Sequence, residues 1–247
     1  MNDPVLIFDD DFSKAWAKAI LQLKKDAWKS WNYVITIKNP TIENKEAIDK
    51  LNVFCKKEGL LLPDTVQRTI FPKHFYIEKR MHNKEAFYRA YNHFYSITRD
   101  KKHSVWGTYF KRMISYQTKD GSEYDQLDSI IKRIKSIKSN YGSANFIVIP
   151  QVGVESNKIM GAPCLNYITV QVEKQQEKRV VSLLAVYRNH DYLKRTFGNY
   201  WGLCELLKYI CIESGAELGT VTCISSHAYV EDNKTDLLKI ANEIIGE

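Results

Sequence analysis

The chain has 247 residues, with 36 Lys and Arg against 29 Asp and Glu, a formal net charge of +7. Its 44% hydrophobic and 26% charged residues are typical of a globular protein and exclude a disordered chain. The excess positive charge points to an anionic partner such as a nucleotide, a nucleic acid or a membrane surface.

The N-terminal half is predicted to be mainly helical. Apolar residues recur at helical spacing over 13–25, 41–57, 83–96 and 125–138, and the β-branched segment 33–37 predicts a strand. No run of about 18 apolar residues and no basic leader is present, so we expect neither a membrane span nor a signal peptide.

After residue 140 the pattern changes to strands, at 145–152, 167–172, 179–187 and 219–224. Helices are predicted at 200–213, ended by Gly215, and at 235–245. Helices mostly first and strands mostly later favour an α+β class, and the absence of a linker or repeat favours a single domain over residues 1–247.

The five cysteines have no repeating spacing, so neither a disulfide framework nor a zinc site is expected, and the compartment is expected to be the cytoplasm. Cys164 follows Pro163 directly before the strand 167–172. A thiol there could act as a nucleophile if a nearby cation stabilises the thiolate. The structural alternative is an inert buried thiol.

Polar residues end the next strand. Arg188 could hold a phosphate or carboxylate with its planar guanidinium, and Asn189 and Asp191 could read the edge of a base. A surface turn with an ion pair is the alternative. Asn199 stands where a helix N-cap is expected, but its amide would also suit the edge of uracil.

His227 and Tyr229 follow the last predicted strand. Being two residues apart on an extended segment, they should point the same way and could hold a sugar hydroxyl. Structural roles are the alternative for both.

The order Pro-Cys, Arg-x-x-Asp, Asn eight residues later and His-x-Tyr resembles the thymidylate synthase family and its pyrimidine hydroxymethylase relatives. The segment Trp106-Gly107-Thr108-Tyr109 with Arg112 resembles the family's Tyr-Gly segment, and 125–127 (Asp-Gln-Leu) matches a family helix start. The resemblance covers roughly residues 105–229.

The resemblance implies that Cys164 attacks carbon 6 of a pyrimidine nucleotide and makes carbon 5 nucleophilic toward the one-carbon unit of methylene-tetrahydrofolate. Arg188 would bind the phosphate and favour the thiolate, and Asp191 would contact the base and the pterin. The implied fold is a three-layer α+β structure whose twisted mixed sheet forms the interface of a homodimer.

The same resemblance assigns the remaining site residues. Asn199 would read the uracil edge, and His227 and Tyr229 would hold the ribose hydroxyl. Asn189 and Trp106 complete the expected substrate-binding set. Glu85 is the best match for the family's catalytic Glu, and Glu78 is the second.

The chain also departs from the family. Ser143-Ala144-Asn145 stands where the family donates two phosphate-binding arginines across the dimer, and Arg68, Lys79 or Arg80 could replace them. Leu165 replaces the His after the nucleophile. Only about 18 residues follow Tyr229, where the family has a longer segment over folate.

Three functions therefore stay open. The first is an enzyme that modifies carbon 5 of a pyrimidine nucleotide, and the second is a nucleotide-binding or sensing module. The third is a polynucleotide-binding protein, which the charge and the aromatic residues allow. Cys164 and Arg188 favour the enzyme, because a pure binding module has no need of the thiol.

Overall fold

Strands from both ends of the chain build one mixed sheet. The structure, a computed structural model, describes residues 3–79, 84–99, 106–136, 143–151, 153–155, 161–175 and 177–246. The helices are α1 (Phe12–Lys25), α2 (Lys45–Lys57), α3 (Pro63–Ile70), α4 (Lys73–Lys79), α5 (Lys84–Thr98), α6 (Tyr109–Ile114), α7 (Gln126–Ser136), α8 (Thr196–Ser214) and α9 (Lys234–Ile245). The strands are β1 (Val5–Asp9), β2 (Lys29–Ile37), β3 (Tyr116–Gln117), β4 (Glu123–Tyr124), β5 (Asn145–Val148), β6 (Leu165–Gln175), β7 (Lys178–Tyr187), β8 (His190–Asp191) and β9 (Glu217–Tyr229).

The large sheet has the strand order β1-β2-β9-β7-β6-β5, and β8 pairs with the end of β9. The pairs β1–β2 and β9–β7 are parallel, whereas β2–β9, β7–β6 and β6–β5 are antiparallel. The α+β class and the mixed sheet are thus confirmed.

Helices cover one face of this sheet. Helix α1 packs on β1 and β2, α8 packs on β7 and β9, and α3 and α9 pack on the outer sides of α8 and α1. Helix α8 is buried over almost its whole length, and it ends at Gly215, whose φ of 68° is in the left-handed region. No helix within the described residues is long and apolar enough to cross a bilayer.

Two glycines let α3 lie directly against α8. A Cβ at Gly198 would come within 2.5 Å of the Pro63 carbonyl oxygen, and a Cβ at Gly202 within 2.8 Å of the Ile70 Cβ. Side chains are therefore excluded at both positions. This close approach brings α3 to the same end of the sheet as the first turn of α8.

The predicted elements are present, with shifted limits. The helix predicted from residue 41 begins at Lys45, because the Asn44 side chain caps it by accepting from the Ala47 N–H at 3.1 Å. The helix predicted from residue 200 begins at Thr196, so Asn199 lies inside the first turn, and the N-cap interpretation is wrong. The predicted ends at Asn83, Lys138 and Val152 lie outside the described residues.

Candidate active site

One end of the sheet holds a cavity of about 380 Å³. It is enclosed by α3, the segment before α6, the residues just before β6, the turn after β7, the start of α8 and the end of β9. Six of the residues predicted from sequence line it: Trp106, Cys164, Asn189, Asp191, Asn199 and Tyr229. Its volume is within the usual range for a small-molecule site.

Cys164 is the partly buried thiol of this cavity, whereas the other four cysteines are buried. Burial raises the pKa of Cys164, the charges of Arg188 and Arg195 lower it, and the Asp191 carboxylate raises it. The net pKa lies above the ordinary thiol value. Attack by Cys164 therefore requires loss of the thiol proton when a substrate binds, because the thiolate is the nucleophile.

Arg188 holds the loop that carries the thiol. Its Nε donates to the Pro163 carbonyl oxygen at 3.2 Å and an Nη donates to that of Ala162 at 3.3 Å. The Arg188 backbone N–H also donates to the Cys164 carbonyl oxygen at 2.9 Å. This arginine is therefore a neighbour of the thiol, and the phosphate contact expected for it stays a prediction.

Asp191 lies at the turn into α8. Its Oδ1 accepts from the backbone N–H groups of Leu193 and Lys194, both at 3.0 Å, and burial raises its pKa. Oδ2 is 4.0 Å from the Lys194 ammonium. One carboxylate oxygen is thus used to shape the turn, and the other is left for an ion pair or a ligand.

Asn199 is buried in the first turn of α8 and lines the cavity. Its Nδ2 donates to the Nε2 of His190 at 3.0 Å. His190 also lines the cavity, and its Nδ1 lies 2.8 Å from the Ser225 hydroxyl. The sequence interpretation missed His190, although its position between Asn189 and Asp191 was a signal for it.

His227 and Tyr229 lie within β9, and their rings stack at 5.3 Å on one side of the strand. The prediction that they point the same way is confirmed. Only Tyr229 reaches the cavity of Cys164. His227 lines a neighbouring cavity, where its Nδ1 donates to Asn189 Oδ1 at 2.8 Å and its ring lies 4.6 Å from that of Trp31.

Trp106 stands at the entrance to α6. Its ring lies 4.8 Å from that of Tyr109, and its carbonyl oxygen accepts from Arg112 Nε at 2.9 Å. The Arg112 guanidinium is paired in bidentate fashion with the buried Glu155, at 2.7 Å for both bonds. This ion pair fixes the backbone from which Trp106 faces the cavity.

The structure does not bring Glu85 to the cavity. Glu85 is exposed on α5 and is absent from the cavity wall. The side chains of Glu78, Lys79 and Arg80 lie outside the described residues. Arg68 pairs with Asp64 at 2.5 Å on α3 and does not line the cavity.

Two cations that sequence reasoning missed do line the cavity. Lys194 is shared between Asp191 and Glu231, at 4.0 and 3.7 Å. Arg195 is exposed, and among the described residues its guanidinium has no hydrogen bond and no ion pair. The Lys-Arg pair between Asp191 and Asn199 was the signal that could have found them.

The polar groups of the cavity fit an anionic, planar ligand better than a metal ion. Within the described ranges, no three His, Cys, Asp or Glu side chains are grouped closely enough to hold a metal. Arg195 offers an uncommitted guanidinium, Asn199 an amide edge, and Trp106 and Tyr229 aromatic surfaces.

The chain is similar to curated archaeal proteins that carry the name "Putative thymidylate synthase". It is 28% identical over 132 residues to the protein from Methanosarcina mazei, covering 53% of this chain and 56% of that protein. Identity is 24% over 144 residues to that from Methanosarcina barkeri, covering 53% and 63%, and 31% over 107 residues to that from Methanothermobacter marburgensis, covering 42% and 45%.

The chain thus spans about half the length of the curated relatives it matches. No protein-family model matches it. The similarities support a relation to a divergent thymidylate synthase-like family.

Proposed function

We propose that the chain is a thymidylate synthase-like transferase that modifies carbon 5 of a uracil-type pyrimidine nucleotide through a covalent adduct of Cys164. The observation that carries this proposal is the convergence of Cys164, Asp191, Asn199 and Tyr229 on one cavity. These residues come from four separate segments, and a purely structural cysteine would not require that arrangement. The archaeal relatives support the same assignment.

In the proposed reaction, the Cys164 thiolate adds to carbon 6, and the electron pair of the carbon 5–carbon 6 double bond moves onto carbon 5 and the carbonyl at position 4. Carbon 5 then takes an electrophilic one-carbon unit and loses its proton. Release of the thiolate restores the double bond. Asn199 would hold the edge of the base, and Tyr229 a sugar hydroxyl.

The cavity wall also suits a pterin. Trp106 offers an aromatic face at the cavity, and the Asp191 carboxylate has one oxygen outside the backbone hydrogen bonds of its turn. These two residues would hold methylene-tetrahydrofolate, which supplies the one-carbon unit when bound. Trp106 also lines a second cavity of about 590 Å³, whose wall includes Arg99 and Lys111. This cavity would leave space for the part of the folate beyond the pterin ring.

Tritium release from dUMP labelled at carbon 5 tests the proposal, with and without methylene-tetrahydrofolate. We expect release by the wild type, none by Cys164→Ser, and unchanged release by Cys55→Ala, whose thiol is buried in α2 outside the cavity. Equal release by the wild type and Cys164→Ser would refute the adduct. Tight nucleotide binding without release would instead indicate a sensing module.

A homodimer is the second part of the proposal, and an uncovered sheet face supports it. In the part of the chain that the structure describes, the helices pack on one face of the sheet, and the side chains of the other face align across six strands in two rows. One row is Leu6, Val34, Ile224, Val186, Tyr167 and Val148, and the other is Phe8, Thr36, Thr222, Leu184, Thr169 and Phe146. A largely apolar patch of this extent is typical of an interface.

A second copy of this chain is the proposed occupant of that face, since its two rows can interdigitate with themselves about a twofold axis. Sedimentation equilibrium should give twice the 28.8 kDa chain mass. Ile224→Lys places a charge in the centre of the face and should give monomers, whereas Ile212→Lys on the exposed side of α8 should stay dimeric. A monomeric wild type would refute the dimer.

A further inference from the structure

The Lys29 cavity, an opening of about 580 Å³ whose wall includes Lys29 and Lys234, lies beside the cavity of Cys164. Asn189 and Tyr229 line both cavities, so Tyr229 is part of the wall that they share. In the proposed function the Tyr229 hydroxyl holds a sugar hydroxyl, which in dUMP is the 3′-hydroxyl. A group attached to that oxygen therefore has the Lys29 cavity directly next to it.

Two lysines give this cavity uncommitted positive charge. Lys29 is the register partner of Tyr229 across β2 and β9, a pairing that places Cβ atoms about 5 Å apart. Lys234 is half-buried in the first turn of α9. Among the described residues, neither ammonium group takes part in a hydrogen bond or an ion pair. The carboxylate on the same wall, that of Glu231, already lies 3.7 Å from the Lys194 ammonium.

The Tyr229 hydroxyl adds a hydrogen-bond donor to these charges. Burial raises the pKa of Tyr229 to about 12, with the charges of Asp191 and Glu231 acting in the same direction. The hydroxyl therefore keeps its proton at neutral pH and can donate to a phosphate oxygen. Burial and the Lys29 charge lower the pKa of His227, so the Lys29 ammonium lies close enough to act on that ring.

The backbone on one side of the Lys29 cavity is strained. Ala27 and Trp28 both line it in the left-handed region, with φ of 56° and 69°, although neither is a glycine. The Trp28 N–H donates to the Leu23 carbonyl oxygen at 2.7 Å, and the Trp28 carbonyl oxygen accepts from the Val230 N–H at 2.9 Å. Strain of this kind is typical of ligand sites. Here it places the Trp28 ring 5.8 Å from the Lys234 ammonium.

A row of aromatic rings leads from the surface to Tyr229. Trp31 is 56% exposed, and its ring lies 4.6 Å from that of His227, its register partner on β9. The rings of His227 and Tyr229 stack at 5.3 Å with an interplanar angle of 15°. An exposed aromatic face beside free cations suits a nucleotide base that is attached to a phosphate.

We propose that the Lys29 cavity binds a phosphate on the 3′-oxygen of the nucleotide, so that the protein takes a 3′-phosphorylated pyrimidine nucleotide in preference to one with a free 3′-hydroxyl. The inference rests on the proposed function, since it assumes that Tyr229 meets the sugar of a nucleotide bound beside Cys164. Lys29 and Lys234 supply the countercharge. A 3′-phosphate occurs both in a free nucleoside 3′,5′-bisphosphate and in a nucleotide within a single strand, where Trp31 would stack on the next base.

Calorimetric titration with dUMP and with deoxyuridine 3′,5′-bisphosphate tests the inference through the ratio of the two dissociation constants. We expect the wild type to bind the bisphosphate about tenfold more tightly, the scale of one additional hydrogen bond to a charged group. This preference should fall toward unity in the double variant Lys29→Gln and Lys234→Gln. Lys239→Gln is the control, because Lys239 is exposed on α9 outside both cavities, and it should keep the wild-type ratio.

A dinucleotide in which 5′-phosphorylated deoxyuridine is followed by thymidine distinguishes the two sources of the 3′-phosphate. If the site takes a strand, the dinucleotide binds at least as tightly as the bisphosphate, and Trp31→Ala weakens binding of the dinucleotide alone. If the site takes a free bisphosphate, the dinucleotide binds more weakly than the bisphosphate, and Trp31→Ala changes neither affinity. Both results support the 3′-phosphate site.

A wild type that binds the bisphosphate no more tightly than dUMP would overturn the inference, and this measurement needs no variant to fold. A folded double variant that keeps the wild-type preference would also overturn it. Tritium release from dUMP without a preference for the bisphosphate would refute the inference alone. A preference for the bisphosphate without tritium release would refute only the transferase, and absence of binding to all three ligands would refute both.

Discussion

Acid should destabilise this fold through His190. The side chain is 1% exposed, and burial lowers its pKa from the ordinary value of 6.5 to about 3. Between these two values the unfolded chain binds one more proton than the native protein at this position. The free energy of unfolding must therefore fall as the pH falls through this window, and the His190 contribution is fully present above pH 6.5.

The size of the effect follows from the two pKa values. Each unit of difference is worth about 1.4 kcal/mol, so the loss approaches about 4 to 5 kcal/mol below pH 3. At pH 5 the same linkage gives a loss of about 2 kcal/mol relative to neutral pH. That is a large share of the stability of an ordinary domain.

Urea unfolding of the wild type and His190→Gln at pH 7.5, 6 and 5 measures this loss. At pH 7.5 the variant should be less stable, because Gln lacks the ring that stacks on Tyr187. Gln does not titrate, so this difference should shrink by about 2 kcal/mol at pH 5. Carboxylates titrate equally in both proteins and cancel in the comparison. His227→Gln is the control. The pKa of His227 is also lowered, but His227 is less buried than His190, so its substitution should change the pH profile less. Parallel pH profiles for the wild type and His190→Gln would refute the reasoning.

Two further substitutions test the cavity wall. Arg195→Leu removes one of the charges that lower the pKa of Cys164, so alkylation of this thiol by iodoacetamide at pH 8 should slow by about threefold. Lys194→Gln is the control and should leave the rate unchanged. Equal alkylation rates for the two variants would contradict this prediction. Gly198→Ala forces a methyl group against α3 and should lower the free energy of unfolding by about 1 to 3 kcal/mol in urea titrations. Ile212→Ala, on the exposed side of α8, should change the free energy of unfolding by less than about 0.5 kcal/mol. A Gly198→Ala protein as stable as the wild type would contradict the close packing of α3 on α8.

The sequence predicted the fold class because most helices and strands have clear periodicity, but it did not predict every element. Strand β1 was missed, since its five residues run directly into three consecutive aspartates. Helix α3 was missed because it has only eight residues and no side-chain cap. The start of α8 was placed four residues late because Arg195 at its N-cap provides no capping side chain. In each case the local sequence at the end of the element lacks a clear start or stop signal.

The residues of the candidate site were predicted better than the hydrogen bonds between them. The resemblance to the thymidylate synthase family predicted Cys164, Asp191, Asn199 and Tyr229 as site residues, and these residues line one cavity. The hydrogen-bond partners of these residues could not be predicted, because every residue has a backbone carbonyl and its acceptor role is therefore not visible in the sequence. Arg188 is the clearest case, since it donates to the backbone oxygens of Pro163 and Ala162 in the thiol-bearing loop.

Two arginines, Arg188 and Arg195, lower the pKa of Cys164 through their charges. Two N–H groups of Arg188 donate to backbone carbonyls of the thiol-bearing loop, and the charge of Arg188 lowers the pKa of Cys164. The Arg195 guanidinium has no hydrogen bond and no ion pair among the described residues, so an anionic group that binds it neutralises a charge that otherwise favours the thiolate. Binding an anion at Arg195 therefore raises the pKa of Cys164.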